Sequence, residues 1–152
     1  MESAQPIVQI HMIVNRQRRV PVSILPLRRF YERVRRELGF APESVTIQLI
    51  DDASMARLNE TFRKKQGPTD VLSFPANGAG ATHAVEYIGD IAISLETARR
   101  NARRFSRSLP MEMRILILHG MIHLAGFDHE TDNGEMDRIE RRLRKRLGVA
   151  GR

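Results

Sequence analysis

The stretch from Ile115 to His129 constrains this chain more than any other. Ile115, Leu116, Ile117, Leu118, Met121, Ile122 and Leu124 surround one segment with apolar side chains on every side, the mark of a helix buried in a core. His119 and His123 sit within it, and His129 follows a glycine, giving H-x-x-x-H-x-x-G-x-x-H over residues 119–129. Helical residues four apart are offset by about 40° and about 6 Å, so two such imidazoles can converge on one point. Gly126 can adopt the left-handed conformation that ends a helix, and that turn can bring His129 back as a third ligand. A lone histidine on an apolar helix is most often a satisfied core residue. Here three of the chain's five histidines share one short stretch, and buried imidazoles cost free energy unless they find partners. Three neutral imidazoles around one ion, with the fourth position left for water, is the arrangement of a catalytic zinc site. The spacing therefore predicts one Zn2+ held by His119, His123 and His129, in a metal-dependent hydrolase. Nickel or copper suits the same three ligands as readily.

The chain has no cysteine, so disulfides and thiolate metal sites are excluded and any metal must be held by histidine or carboxylate. Its 152 residues amount to one domain's worth, and the expectation is a single domain over 1–152. The segment Met1-Glu2-Ser3-Ala4-Gln5-Pro6 shows no basic region followed by a long apolar run, and no apolar stretch is long enough to span a bilayer. A soluble, cytoplasmic protein with no membrane partner is expected. The formal charge is +7, with lysine only at Lys64, Lys65 and Lys145, so arginine supplies nearly all of the basic balance. Arginine binds phosphate bidentately and stacks on bases, which suits RNA. A GC-rich genome that favours arginine codons explains the same composition equally well.

Hydrophobic periodicity predicts a strand over Ile7–Val14 and a helix over Leu25–Leu38 stopped by Gly39. A second strand over Val45–Ile50 leads to a helix capped by Asp51 or Asp52 and carrying Met55, Leu58 and Phe62. Arg63–Asp70 reads as a polar loop, Val71–Phe74 as a short strand stopped by Pro75, and Ala76–Ala84 as a mobile loop. Tyr87–Ser94 reads as a strand, after which Ser94 can cap a helix with Leu95, Ala98, Ala102 and Phe105. Ser108 and Pro110 announce the histidine helix, with Glu112 in its favourable first turn. A last helix places Met136, Ile139, Leu143 and Leu147 on one face. Its Arg141, Arg142, Arg144 and Arg146 read as a solvated face, paired in part with Glu140. Interleaved strands and helices predict a compact α/β or α+β domain with a small mixed sheet.

His123-x-x-Gly126-x-x-His129 follows the tail of the metzincin pattern, but Gly120 stands where a zinc peptidase has its glutamate base. That departure argues against a standard metallopeptidase. Three blocks carry a different resemblance: Asn59-Glu60-Thr61-Phe62-Arg63 with Pro68-Thr69-Asp70-Val71-Leu72-Ser73-Phe74-Pro75, then Gly89-Asp90-Ile91-Ala92-Ile93-Ser94, then His119 through Asp128-His129. In that order they resemble the YbeY family of metal-dependent endoribonucleases. The resemblance implies a zincin-like α+β fold, a bound zinc, and cleavage of single-stranded RNA in small-subunit (16S) rRNA maturation and ribosome quality control. It implies RNA, the small ribosomal subunit and its assembly factors as partners, and it puts Arg63 at the family's functionally important arginine.

A zinc held by three histidines lowers the pKa of its water towards about 7, and Arg63 could hold the scissile phosphate beside it. Without the resemblance, Arg63 reads as a surface arginine in a polar loop. Lys64 and Lys65 either track an RNA backbone or are simply solvated. Asp128 either orients a ligand histidine or acts as a base, or it caps the turn after Gly126. Asp70 and Asp90 read as structural, and His83 as irrelevant to the metal. A reading from another class also stands: a ribosome-assembly RNA-binding factor whose metal is mainly structural.

Overall fold

The computed structural model describes residues 12–76, 87–128 and 131–149. His11, His83, His129 and most of the glycine-rich loop fall outside them, as does most of the first expected strand. The elements run β1 (Ile13–Asn15), α1 (Ile24–Leu38), β2 (Val45–Ile50), α2 (Asp52–Arg63), β3 (Val71–Pro75), β4 (Gly89–Ser94), α3 (Leu95–Arg104), α4 (Leu109–Leu124) and α5 (Glu135–Leu147). The strands form a mixed sheet in the order β1-β2-β4-β3, with β1, β2 and β4 parallel and β3 antiparallel to β4. This is the α+β class with a small mixed sheet packed by helices. The strand expected from Tyr87 begins two residues later, at Gly89. Tyr87 donates its hydroxyl to Asp90 instead of joining the ladder.

Alternation along the strands divides the core between the two faces of the sheet. Val45, Ile47 and Leu49 of β2 and Ile91 and Ile93 of β4 enter the main core, with Leu27, Phe30, Tyr31 and Val34 of α1 and the apolar residues of α4. Ile50, Leu72 and Ala92 point the other way and pack with Met55 of α2. Helix α4 is buried on nearly every side, because α1, α3, α5 and the sheet all lie against it. No helix among the described residues is long and apolar enough to cross a membrane.

Local chemistry sets the helix ends. Asp51, Ser94 and Ser108 cap α2, α3 and α4 by accepting from the backbone N–H groups of Ser54, Thr97 and Met111. The starts of α2 and α3 are also bonded to each other. Asp52 Oδ1 accepts the hydroxyls of Ser94 and Thr97, both at 2.6 Å, and its Oδ2 lies 2.8 Å from Arg100. Glu96 returns the bond by accepting from the Asp52 backbone N–H at 2.9 Å. Burial opposes ionisation of Asp52, but Arg100 and the two hydroxyls outweigh it and hold the carboxyl below its usual range. Glu112 lies in the first turn of α4 as expected, but it is buried. Burial pushes its pKa up, against the pull of Arg107 at 3.1 Å.

Candidate active site

Helix α4 crosses the main-core face of the sheet close to its surface, and Gly120 sets that closeness. A Cβ built on Gly120 would lie 3.0 and 3.1 Å from two side-chain carbons of Ile91 and 3.2 Å from Ser73 Oγ. Ser73 instead donates its hydroxyl to the Gly120 carbonyl at 3.1 Å, tying α4 to the edge strand β3. Position 120 thus faces the sheet at contact distance, where even a Cβ would require Ile91 and Ser73 to give way.

The residues on either side of this contact open into a cleft of about 930 Å³ that wraps the edge strand β3. Phe62 and Arg63, at the end of α2, line it from one side. Thr69 to Pro75 form its floor, and His119, His123, Gly126, Phe127 and Asp128 close the other side. Arg63, expected in a loop, is the last residue of α2. His119 and His123 are half-buried, with ring centroids 4.7 Å apart and planes at 78°. Helix α4 ends at Leu124, and Gly126 takes a φ of 101°, the turn its residue type permits. Arg63, His119, His123 and Asp128 therefore share one cleft, while His129 lies outside the described residues.

Glu140 has a part in the site that the sequence reading missed. His119 Nδ1 lies 3.2 Å from Glu140 Oε1 and 3.3 Å from Oε2. Arg144 reaches the same carboxylate at 3.3 Å. Burial opposes the charge on Glu140, and the neighbouring His119 and Arg144 more than offset it, so the carboxyl stays ionised below its usual range. Nδ1 faces Glu140, and Nε2 is the nitrogen on the far side of the His119 ring. The signal lay in the pattern Met136, Glu140, Leu143, Leu147, which puts a carboxylate on the buried face of α5. Among the other arginines of this helix, Arg141, Arg142 and Arg146 are exposed, as the solvated-face reading expected.

Two described imidazoles at helical spacing, one of them braced by a carboxylate, are of the donor type that zinc takes, but among the described residues no third histidine, cysteine or carboxylate completes a metal-holding group, and His129 lies outside them. Asp70 accepts from the Val71 backbone at 2.8 Å and from Asn101 at 3.2 Å, a structural use of that carboxylate. Buried Asn59 donates to the Gly67 carbonyl at 2.9 Å and folds the basic loop back on α2.

Fold and cleft together define an α+β domain with paired histidines beside the edge of a mixed sheet. Residues 12–148 match the family described as Endoribonuclease YbeY. The chain belongs to that family and is a nuclease acting on RNA. The Endoribonuclease YbeY of Solibacter usitatus is 42% identical over 134 residues, covering 87% of this chain and 86% of that protein. The one from Koribacter versatilis is 42% identical over 136 residues, covering 90% and 85%. The solution structure of TM1509 from Thermotoga maritima has a similar fold, with a TM-score of 0.60 and 25% identity over 89% of this chain and 88% of that one.

Proposed function

We propose that this protein is a zinc-dependent endoribonuclease specific for single-stranded RNA, acting in the cytoplasm in small-subunit rRNA maturation and ribosome quality control. The observation that carries the reading is the shared cleft: a cation, Arg63, and two imidazoles, His119 and His123, line one groove along β3. His119, His123 and His129 would hold the ion. When bound, it supplies Lewis-acid activation of water and of a phosphoryl oxygen near neutral pH.

The chain's own residues supply the rest. Glu140 fixes the tautomer and orientation of His119 through Nδ1. The Arg63 guanidinium binds the scissile phosphate and stabilises charge that builds on its oxygens. Lys64 and Lys65, exposed beside Arg63, neutralise neighbouring phosphates. Asp128 lines the same cleft, where it can take up or orient a proton. Amide hydrolysis makes a heavier demand, since a base must take a proton from water and return it to a poor leaving amine. RNA carries its own 2′-hydroxyl and a better leaving oxygen. The basic charge and the absence of cysteine fit an RNA-binding protein of a reducing compartment.

The test is incubation of zinc-loaded protein and its His119→Ala variant with a single-stranded rRNA fragment, its duplex form and unfolded casein. Cleavage of the single strand alone is expected, slower at high salt and lost in the variant. Intact RNA with verified zinc occupancy, or casein proteolysis that disappears in His123→Ala, would overturn the reading.

A further inference from the structure

The nuclease reading says which bond is cut but not what holds the base next to it, and the end of α2 offers a group for that task. Phe62 is 62% exposed, the most exposed large apolar residue among those described. It lines the cleft next to Arg63. Its ring meets that of Phe74 on the edge strand, with centroids 5.1 Å apart and planes at 68°, an edge-to-face pair that holds it in a fixed attitude. Another exposed aromatic, Phe105, has Arg104 and Arg107 guanidinium groups 5.4 and 5.0 Å from its ring centroid. Phe62 instead faces a groove lined by Arg63 and followed in the chain by Lys64 and Lys65. The backbone supports that placement. Lys64 caps α2 with a φ of 58°, and its N–H and that of Lys65 bond to the carbonyls of Glu60 and Asn59. The backbone that carries the aromatic ring and three cations is thereby held in one tight turn.

We propose that Phe62, backed by Phe74, is a stacking platform for one unpaired nucleobase of the RNA, while Arg63 takes an adjacent phosphate. This rests on the nuclease reading and deepens it. Aromatic rings that receive bases beside cations that follow the backbone are the means by which single strands are bound without regard to sequence. A base inside a duplex presents no free face, so the platform favours single strands without reading any hydrogen-bond edge. Phe62 thereby contributes to substrate choice as a positioning residue.

The test is quenching of a fluorescent adenine analogue in a short single-stranded RNA on rapid mixing with the full chain, together with KM and kcat for cleavage. The native protein should quench the analogue. Phe62→Ala should lose the quench and weaken binding by about 5- to 150-fold, the span reported for one stacked base. Phe62→Leu, apolar but not aromatic, should behave like Phe62→Ala, and Phe62→Trp should restore both readouts. An RNA with an abasic site in place of the analogue should bind the native and Phe62→Ala proteins equally. Because the ring is exposed, the melting temperature should hold in all three variants. If Phe62→Ala keeps the affinity and the quench while the native protein cleaves RNA, the platform is wrong and the nuclease reading stands. If the native protein neither binds nor cleaves RNA, both fall.

Discussion

Glu140 and His119 stand 21 residues apart on different helices, yet both carboxylate oxygens lie within 3.3 Å of one imidazole nitrogen. A carboxylate behind a ligand histidine typically contributes 10- to 100-fold in metal affinity. Glu140→Gln keeps an acceptor for Nδ1–H but removes the charge. It should fold and bind zinc about 10-fold or more weakly, as read by competition with a chromogenic chelator. Unchanged affinity would show that the Glu140 charge does not act on the metal through His119.

Arg63 is exposed at the end of α2 and contributes little to the core. Arg63→Ala should therefore leave the melting temperature and zinc content unchanged while slowing RNA cleavage by about 10²-fold or more, the scale of one lost charge stabiliser. Native-like cleavage would reduce Arg63 to a surface residue.

The contact at Gly120 makes a different kind of forecast. Gly120→Ala gains about 1 kcal/mol in helix propensity but overpacks Ile91 and Ser73 by about 1–3 kcal/mol, for a net loss near 1 kcal/mol. Gly120→Glu, which recreates the peptidase motif in letters, should lose more than about 3 kcal/mol by burying an unpaired carboxylate. Urea unfolding measures both. A stable Gly120→Glu protein that digests casein would contradict the packing argument.

Asp52 gives the fold a pH dependence whose sign follows from its depressed pKa. Its stabilisation is fully present above the ordinary carboxylate value of 3.8 and is lost as pH falls through the lower folded value. Asp52→Asn should cost about 1–3 kcal/mol at neutral pH, because Arg100 loses its charged partner and two hydroxyls lose a strong acceptor. The difference from the native chain should shrink in acid. A gap that holds constant down to pH 3 would assign the loss to something other than the charge.

What could be read in advance was local. Strand β2 matches Val45–Ile50 because alternation and flanking turn residues suffice to mark it. Ser94, Ser108 and Gly39 act at the helix ends where their residue types placed them. What escaped depends on which elements become neighbours. Phe62 continues the stripe of Met55 and Leu58, but at the end of α2 it meets the edge strand, and it emerges in the cleft instead of the core. Glu140 was visible on the apolar side of α5, but only the packing of α5 against α4 could assign it to His119. The bonds from Ser73 to Gly120 and from Asp52 to α3 span more than 40 residues and leave no periodic trace.

The bonds between the starts of α2 and α3 also make α2 a lever. Its fulcrum is Asp52 and its tip, eleven residues along, carries Arg63 just after Phe62. At 1.5 Å per residue the arm is about 16 Å long, so a tilt of about 3° at its start would swing the tip by about 1 Å. A displacement of that size can cost an enzyme about 10²-fold in rate. The position of the guanidinium thus depends on bonds at the opposite end of its helix as well as on those at its own corner.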